Sequence, residues 1–113
     1  SRADAAIASV TGTRPVLYRP AGGLTSALVF DEAARLGDRV VLWTVDPQDW
    51  RRPAASTIAR RVLSRVRPGS VILLHDGGGN RANTVAALRT VLKKLKAAGY
   101  QVVTLSELYG SEP

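Results

Sequence analysis

The sequence contains no cysteine, no methionine and only one histidine, and just 5% of its residues are aromatic. The absence of cysteine excludes disulfides and thiolate metal sites. No apolar run approaches the roughly 20 residues needed to cross a bilayer, so the sequence predicts no transmembrane segment. The chain begins at Ser1 without a charged-then-apolar leader, and we interpret it as a piece of a longer polypeptide.

Acidic residues are also few, with 9 against 16 basic residues, which gives a net charge of +7 and a pI near 10.8. Such a charge is typical of proteins that bind nucleic acids. Many of the arginines, however, fall on or before one predicted amphipathic helix, where a solvated face accounts for them, and no aromatic residues are interleaved to stack bases. We therefore predict no nucleic-acid partner and a modest attraction to anionic polymers such as cell-wall glycans.

What is present is a regular alternation of strand and helix patterns in 113 residues, a length typical of one domain. We predict strands at 14–18, 40–45, 71–75 and 101–105, and helices at 1–10, 25–36, 54–66 and 83–98, with a short turn at 106–109. This order is typical of βαβ units with right-handed crossovers. The fold class is therefore α/β with a parallel sheet, whose apolar strands should be covered on both faces.

Apolar spacing within the helices predicts which residues face the core, and glycines predict where the helices end. The predicted inward residues are Val29, Ala33, Leu36, Ile58, Val62, Val66, Leu88, Leu92 and Leu95. The predicted caps are Gly12, Gly37 and Gly99.

Polar residues follow three of the predicted strands at their C-terminal ends, in segments 19–23, 46–50 and 75–76. Because the C-terminal ends of parallel strands meet at one edge of a sheet, these segments should form one site. His75, the single histidine, is a candidate catalytic acid or base there. The alternative is that His75 is only a structural hydrogen-bonding residue.

The three segments carry recognisable motifs. Residues 18–23 read Tyr-Arg-Pro-Ala-Gly-Gly, residues 45–50 read Val-Asp-Pro-Gln-Asp-Trp, and residues 72–76 read Ile-Leu-Leu-His-Asp. In this order they resemble the second half of the polysaccharide deacetylase family, the carbohydrate esterases with the NodB homology domain. The resemblance covers almost all of the chain. It implies that 1–113 is the C-terminal part of a catalytic domain and forms half of a distorted (β/α) barrel with parallel strands.

The resemblance also implies an activity, the metal-dependent hydrolysis of N- or O-acetyl groups on a polysaccharide such as a chitin oligomer, peptidoglycan or xylan. His75 matches the general acid, and Asp49 matches the residue that orients that histidine and keeps it protonated. Arg19 matches the arginine that tethers the catalytic carboxylate, and the backbone N–H of Gly22 matches an oxyanion donor. Trp50 and Leu73 match the apolar walls of the acetyl pocket.

Two motifs of the family are missing from this chain, the Thr-Phe-Asp-Asp-Gly segment and the His-x-x-x-His pair. The resemblance therefore implies a divalent metal, zinc first and cobalt or nickel as alternatives, bound mainly by residues outside this chain, with no metal ligand here. It implies an acetylated glycan substrate, a companion N-terminal fragment without which the chain neither works nor folds well, and a bacterial location that is extracellular or at the cell wall.

Other interpretations stay open. The chain is alternatively a non-catalytic barrel remnant that binds a glycan or a partner protein. A third interpretation is a phosphate- or nucleotide-binding domain, because residues 77–80 read Gly-Gly-Gly-Asn. No Lys-Ser or Lys-Thr pair follows this segment, however. Asp76 and Asp46 are interpreted as loop-capping or catalytic carboxylates, and Trp50 as a pocket wall or a roof of the barrel. Ala21 and Gly22 depart from the family's arginine motif, which predicts a wider groove.

Overall fold

The structure is a computed structural model that describes residues 1–110. Its contacts divide the chain into two compact units, Ser1–Leu42 and a second that begins at Trp43. Both units combine helices with parallel strand contacts, so the predicted α/β class with parallel strands is confirmed. None of the helices in the described part of the chain combines the length and apolarity that crossing a bilayer requires.

The first unit alternates helices with very short strands. In order it contains helix α1 (Arg2–Thr11), strand β1 (Leu17–Tyr18), a 3₁₀ turn (Ala21–Gly23), helix α2 (Ala27–Leu36) and strand β2 (Arg39–Val40). The two strands pair in parallel, with Leu17 opposite Arg39 and Tyr18 opposite Val40. Helix α2 is therefore the crossover of a βαβ unit, although both strands are shorter than predicted.

Local sequence sets the ends of these two helices. Gly12 after α1 and Gly37 after α2 adopt left-handed conformations, with φ of 73° and 76°, as predicted for glycine caps. The Ser26 hydroxyl accepts the backbone N–H of Val29 at 3.2 Å and begins α2. Ala33 is buried on the predicted face of α2.

The second unit contains a helical pair and one parallel strand contact. Its elements are a 3₁₀ turn (Asp49–Arg51), helix α3 (Ala55–Leu63), helix α4 (Ala82–Ala97) and helix α5 (Leu105–Tyr109). Val45 and Ile72 form the parallel bridge, in which the N–H of Leu73 donates to the Val45 carbonyl at 2.9 Å. The predicted strand at 71–75 is thus reduced to this bridge and the extended residues beside it.

The core of this unit lies between α3, α4 and the bridge. Its buried members are Val45, Ile58, Ala59, Val62, Ala87, Val91 and Leu95. Ile58 and Val62 confirm the predicted face of α3. The predicted face of α4 was wrong in part, because Leu88 and Leu92 are 38% and 41% exposed while Ala87 and Val91 are buried. Leu95 is buried as predicted, whereas the other two buried positions, Ala87 and Val91, each lie one residue before the predicted leucine.

The predicted strand at 101–105 was also wrong. Residues 101–104 are not in a strand, and α5 begins at Leu105. The Thr104 hydroxyl accepts the N–H of Glu107 at 3.2 Å, and the Glu107 carboxylate accepts the N–H of Thr104 at 2.8 Å. This capping box satisfies the backbone locally, whereas the described residues offer these valine-rich positions no partner strand.

Candidate active site

The buried carboxylate of Asp49 lies at the start of a tight turn that follows the bridge residue Val45. The side chain is fully buried. Gln48 before it and Arg52 after the turn both adopt left-handed conformations, with φ of 55° and 58°, which are costly for residues other than glycine. The Asp46 carboxylate accepts the N–H of Gln48 at 2.8 Å and helps to hold that conformation. Asp46 is therefore a turn-forming residue in this structure.

Two arginines of the α3 region hold the same loop from the other side. Arg61 donates to the Pro47 carbonyl at 3.0 Å, and Arg65 donates to the Asp46 carbonyl at 3.3 Å. The interpretation of these arginines as a merely solvated face was therefore incomplete, because two of them satisfy loop carbonyls. Their positive charges lie along the segment that presents Asp49.

His75 and Asp49 form a two-point contact. The ring Nδ1 of His75 lies 2.8 Å from Oδ1 of Asp49, and the backbone N–H of His75 donates to Oδ2 at 2.8 Å. The histidine side chain is 32% exposed, whereas the carboxylate is inaccessible. Both the ring and the main chain of His75 are thus held by one buried group, and the imidazole still reaches solvent.

The chemistry of this contact follows from the ionisation of Asp49. Burial raises the pKa of the Asp49 carboxyl, but the hydrogen bonds from the ring and backbone of His75 and from the Thr84 hydroxyl together lower it below its ordinary value. An ionised carboxylate only accepts hydrogen bonds, so Nδ1 of His75 must carry the hydrogen that faces it. Nε2 is then the ring nitrogen that can give or take a proton.

Thr84 is the third donor to the carboxylate, and sequence reasoning missed it. It lies in the first turn of α4, is buried, and donates its hydroxyl to Oδ2 of Asp49 at 2.9 Å. The carboxylate therefore lies beside the N-terminal turn of α4, where the helix dipole favours negative charge. The only sequence signal for this role was the position of Thr84, three residues before Ala87 and therefore on the same buried face of α4.

The glycine-rich loop after His75 is held by two arginines that were not predicted as site residues. Arg81 donates to the Gly77 carbonyl at 2.7 Å and to the Trp50 carbonyl at 3.2 Å, and Arg52 donates to the Gly78 carbonyl at 3.4 Å. The side chain of Arg52 also occupies the space that a Cβ at Gly79 would need. These contacts join the His75 loop to the Asp49 turn.

The other predicted site residues are distributed as follows. Trp50 is 46% exposed, and the guanidinium of Arg51 lies 4.9 Å from its ring centroid, while Leu73 is 7% exposed.

Arg19 and Gly22 belong to the first unit, where Arg19 is exposed and Gly22 has a left-handed backbone with φ of 63°. No carboxylate among residues 1–42 forms an ion pair with Arg19. Asp76 is exposed beside His75.

The donors in this chain do not fit a zinc, cobalt or nickel site of the kind that the family resemblance implies. Within residues 1–110 no three histidine, cysteine, aspartate or glutamate side chains group closely enough to hold a metal ion. Zinc sites in hydrolases use three protein ligands, commonly with two or more imidazoles, and this sequence has one histidine and no cysteine.

Two curated bacterial proteins illustrate the sequences to which this chain is similar; no protein-family model matches it. The peptidoglycan-N-acetylglucosamine deacetylase of Bacillus cereus is 45% identical over 96 residues, which cover 83% of this chain and 45% of that protein. The chitooligosaccharide deacetylase of Azorhizobium caulinodans is 37% identical over 99 residues, which cover 78% of this chain and 47% of that protein. The chain thus spans about half the length of these relatives.

Solved structures give the same match. The Bc1960 peptidoglycan N-acetylglucosamine deacetylase superposes with a TM-score of 0.88 at 32% identity, over 93% of this chain and 50% of that one. Wild-type BA3943, a CE4 family pseudoenzyme from Bacillus anthracis, superposes with a TM-score of 0.87 at 30% identity, over 95% of this chain and 37% of that one. The fold therefore matches part of the CE4 deacetylase fold, in proteins with and without activity.

Proposed function

Because the chain belongs to the CE4 polysaccharide deacetylase (NodB) family, with homology that covers a C-terminal portion of those enzymes, we propose that it supplies the acid side of a deacetylase site. The proposed reaction is the hydrolysis of an N- or O-acetyl group on a bacterial glycan. The observation that carries the proposal is the buried Asp49 carboxylate, which fixes Nδ1 of a His75 side chain that is itself partly exposed.

The proposed role of His75 is to protonate the leaving group. Water adds to the acetyl carbonyl, and a carboxylate outside this chain takes its proton. As the bond between the carbonyl carbon and the glycan nitrogen or oxygen breaks, the proton on Nε2 of His75 passes to that atom. The products are acetate and a free amine or hydroxyl.

Asp49 serves as the positioning partner of the acid. Its two oxygens hold the ring and the backbone N–H of His75 and so fix the orientation of the ring. Because Asp49 is buried and its ionised form is already stabilised by three hydrogen bonds, it does not compete for the proton that His75 must deliver. The proton that is transferred is therefore the one on Nε2 of His75.

The remaining roles come from the family resemblance. Arg19 would tether the catalytic carboxylate, and the backbone N–H of Gly22 would donate to the oxyanion of the tetrahedral intermediate. Trp50 and Leu73 would form the walls against the acetyl methyl group. Trp50 is exposed, which suits a pocket wall that borders solvent. Leu73 is buried, which suits a pocket wall inside the fold.

The metal is proposed to come from elsewhere. Zinc, cobalt or nickel would polarise the carbonyl and the water, and its ligands would lie on a companion N-terminal segment with the Asp-Asp and His-x-x-x-His motifs. That segment would also complete the distorted (β/α) barrel, of which residues 1–113 would be the C-terminal part of the catalytic domain. The reason for this division is the composition of the chain, which has one histidine and no cysteine.

The names of three relatives support the proposed substrate class. The Bacillus cereus protein and Bc1960 are named peptidoglycan N-acetylglucosamine deacetylases, and the Azorhizobium caulinodans protein is named a chitooligosaccharide deacetylase. We therefore place an N-acetylated hexosamine glycan ahead of xylan, and the bacterial cell wall or exterior ahead of other locations. The net charge of +7 would favour an anionic wall polymer.

A second function is supported by one comparison, the match to the pseudoenzyme BA3943. In that case the chain would belong to a non-catalytic barrel that binds a glycan or a partner protein. A mutant of BA3943 has restored enzymatic activity, and this chain matches it equally well, with a TM-score of 0.87. The fold alone therefore does not separate the two functions.

The deciding experiment measures acetate release from N-acetylated chitin oligomers and from peptidoglycan. Residues 1–113 alone are compared with the same residues together with a segment that carries the two missing motifs. We expect release only from the combination, and zinc affinity by calorimetry weaker than micromolar for the chain alone. Glycan binding without acetate release by the combination would instead establish the non-catalytic function. Release, cooperative unfolding and micromolar zinc binding by the chain alone would contradict the proposed division.

A further inference from the structure

Thr84 connects the first turn of α4 to the buried carboxylate of the site. Its hydroxyl donates to Oδ2 of Asp49, a side chain that is fully buried. Thr84 is 5% exposed and is the only buried polar residue besides Asp49 among residues 1–110. Its contact joins α4 to the turn that carries Asp49.

The geometry points to Thr84 as a positioning residue for the proton-donating histidine, acting through Asp49. This inference rests on the proposed function. Oδ2 of Asp49 receives both the Thr84 hydroxyl, at 2.9 Å, and the backbone N–H of His75, at 2.8 Å. With Oδ2 held from two sides, the carboxylate cannot rotate freely, and Oδ1 stays opposite Nδ1 of His75.

Electrostatics gives Thr84 a second effect. A buried carboxylate is stabilised in its charged form by each hydrogen bond that it accepts, and Thr84 supplies the only one of the three that does not come from His75. His75 is the titratable group that acts on Asp49 within the described part of the chain. Losing the hydroxyl should therefore raise the pKa of Asp49.

The test uses the complete protein and two variants of Thr84 with a matched control. Thr84→Val removes the donor and keeps the shape, Thr84→Ser keeps the donor, and Thr90→Val makes the same change at an exposed position of α4. For Thr84→Val we expect kcat on acetylated chitin oligomers to fall about tenfold, with KM nearly unchanged. The acidic limb of the pH–rate profile should move to higher pH, because Asp49 must be ionised to orient the acid.

A readout independent of turnover separates this inference from the proposed function. The Nδ1 proton of His75, observed by ¹H NMR, should exchange with water faster in Thr84→Val than in the wild type, and Thr84→Ser should restore slow exchange. Wild-type exchange and an unmoved profile in a folded Thr84→Val protein would overturn the positioning role. If no variant releases acetate but the exchange rates differ as expected, the deacetylase proposal fails and the positioning role stands.

Discussion

Asp49 holds His75 through both of its oxygens, because Oδ1 lies 2.8 Å from the ring Nδ1 and Oδ2 accepts the backbone N–H of the same residue at 2.8 Å. The two residues are 26 positions apart in sequence and belong to separate loops. A carboxylate that binds the ring and the main chain of one histidine fixes that side chain more firmly than a contact to the ring alone. This relationship underlies the first two predictions.

Asp49→Asn should reduce turnover in the complete protein, but by less than loss of His75 does. An asparagine side chain has one oxygen where the carboxylate has two, so it cannot accept from both the ring Nδ1 and the backbone N–H of His75, and kcat should fall while KM stays nearly unchanged. Steady-state kinetics measure both constants. Asp31→Asn, at an exposed position of α2, is the matched control, and an unchanged kcat in Asp49→Asn would show that Asp49 only shapes its loop.

Acid should destabilise the fold partly through Asp49. The folded pKa of this carboxyl lies below its unfolded value of about 4. The ionised form therefore contributes stability above about pH 4, and this contribution is lost as the pH falls through the folded pKa. Thermal unfolding at a series of pH values should show a smaller acid loss for Asp49→Asn than for the wild type. Parallel curves for the two proteins would contradict this assignment.

Leu73→Ala should widen the proposed acetyl pocket. The ratio of activity on propionyl over acetyl substrates should rise, since an apolar pocket discriminates one methylene by only about 1–3 kcal/mol. Leu88→Ala, at a more exposed leucine of α4, should leave the ratio unchanged. Equal losses for every acyl length in Leu73→Ala would indicate a folding defect, of about 2–5 kcal/mol for a buried leucine.

Arg81→Ala should loosen the two loops that Arg81 joins. Its guanidinium contacts the carbonyls of Gly77 and Trp50, so backbone amides at 48–52 and 76–80 should exchange with deuterium faster in the variant. Arg89→Ala, at an exposed position of α4, is the control. Exchange that rises throughout the second unit would instead indicate a general loss of stability.

The helices were the most predictable part of the fold, because their signals are local. Gly12 and Gly37 end helices as expected, since a left-handed cap needs only the residue itself. The strands were less predictable. Residues 101–105 have the composition of a strand, but a strand requires a partner, and the described residues instead place a Thr104 capping box there.

The residues of the candidate site were also predictable only in part. The sequence motifs predicted the pairing of His75 with Asp49, and the contact between them is present. Thr84 and Arg81 were missed because a threonine or an arginine near a helix start is ordinarily solvated, and only the fold brings them to Asp49 and the glycine loop. The exposure of Leu88 was missed because helical spacing allowed either of two adjacent faces to be the buried one.

The central claim is that His75 is the proton donor of a deacetylase and not a metal ligand. The most direct measurement compares wild type, His75→Ala and the exposed control Lys93→Ala in the complete protein, with acetate release and zinc affinity determined on the same samples. We predict that His75→Ala lowers turnover by about 10²- to 10⁴-fold and leaves zinc affinity nearly unchanged, while Lys93→Ala changes neither. Near-wild-type turnover in His75→Ala, or a loss of zinc that accompanies the loss of activity, would contradict the claim.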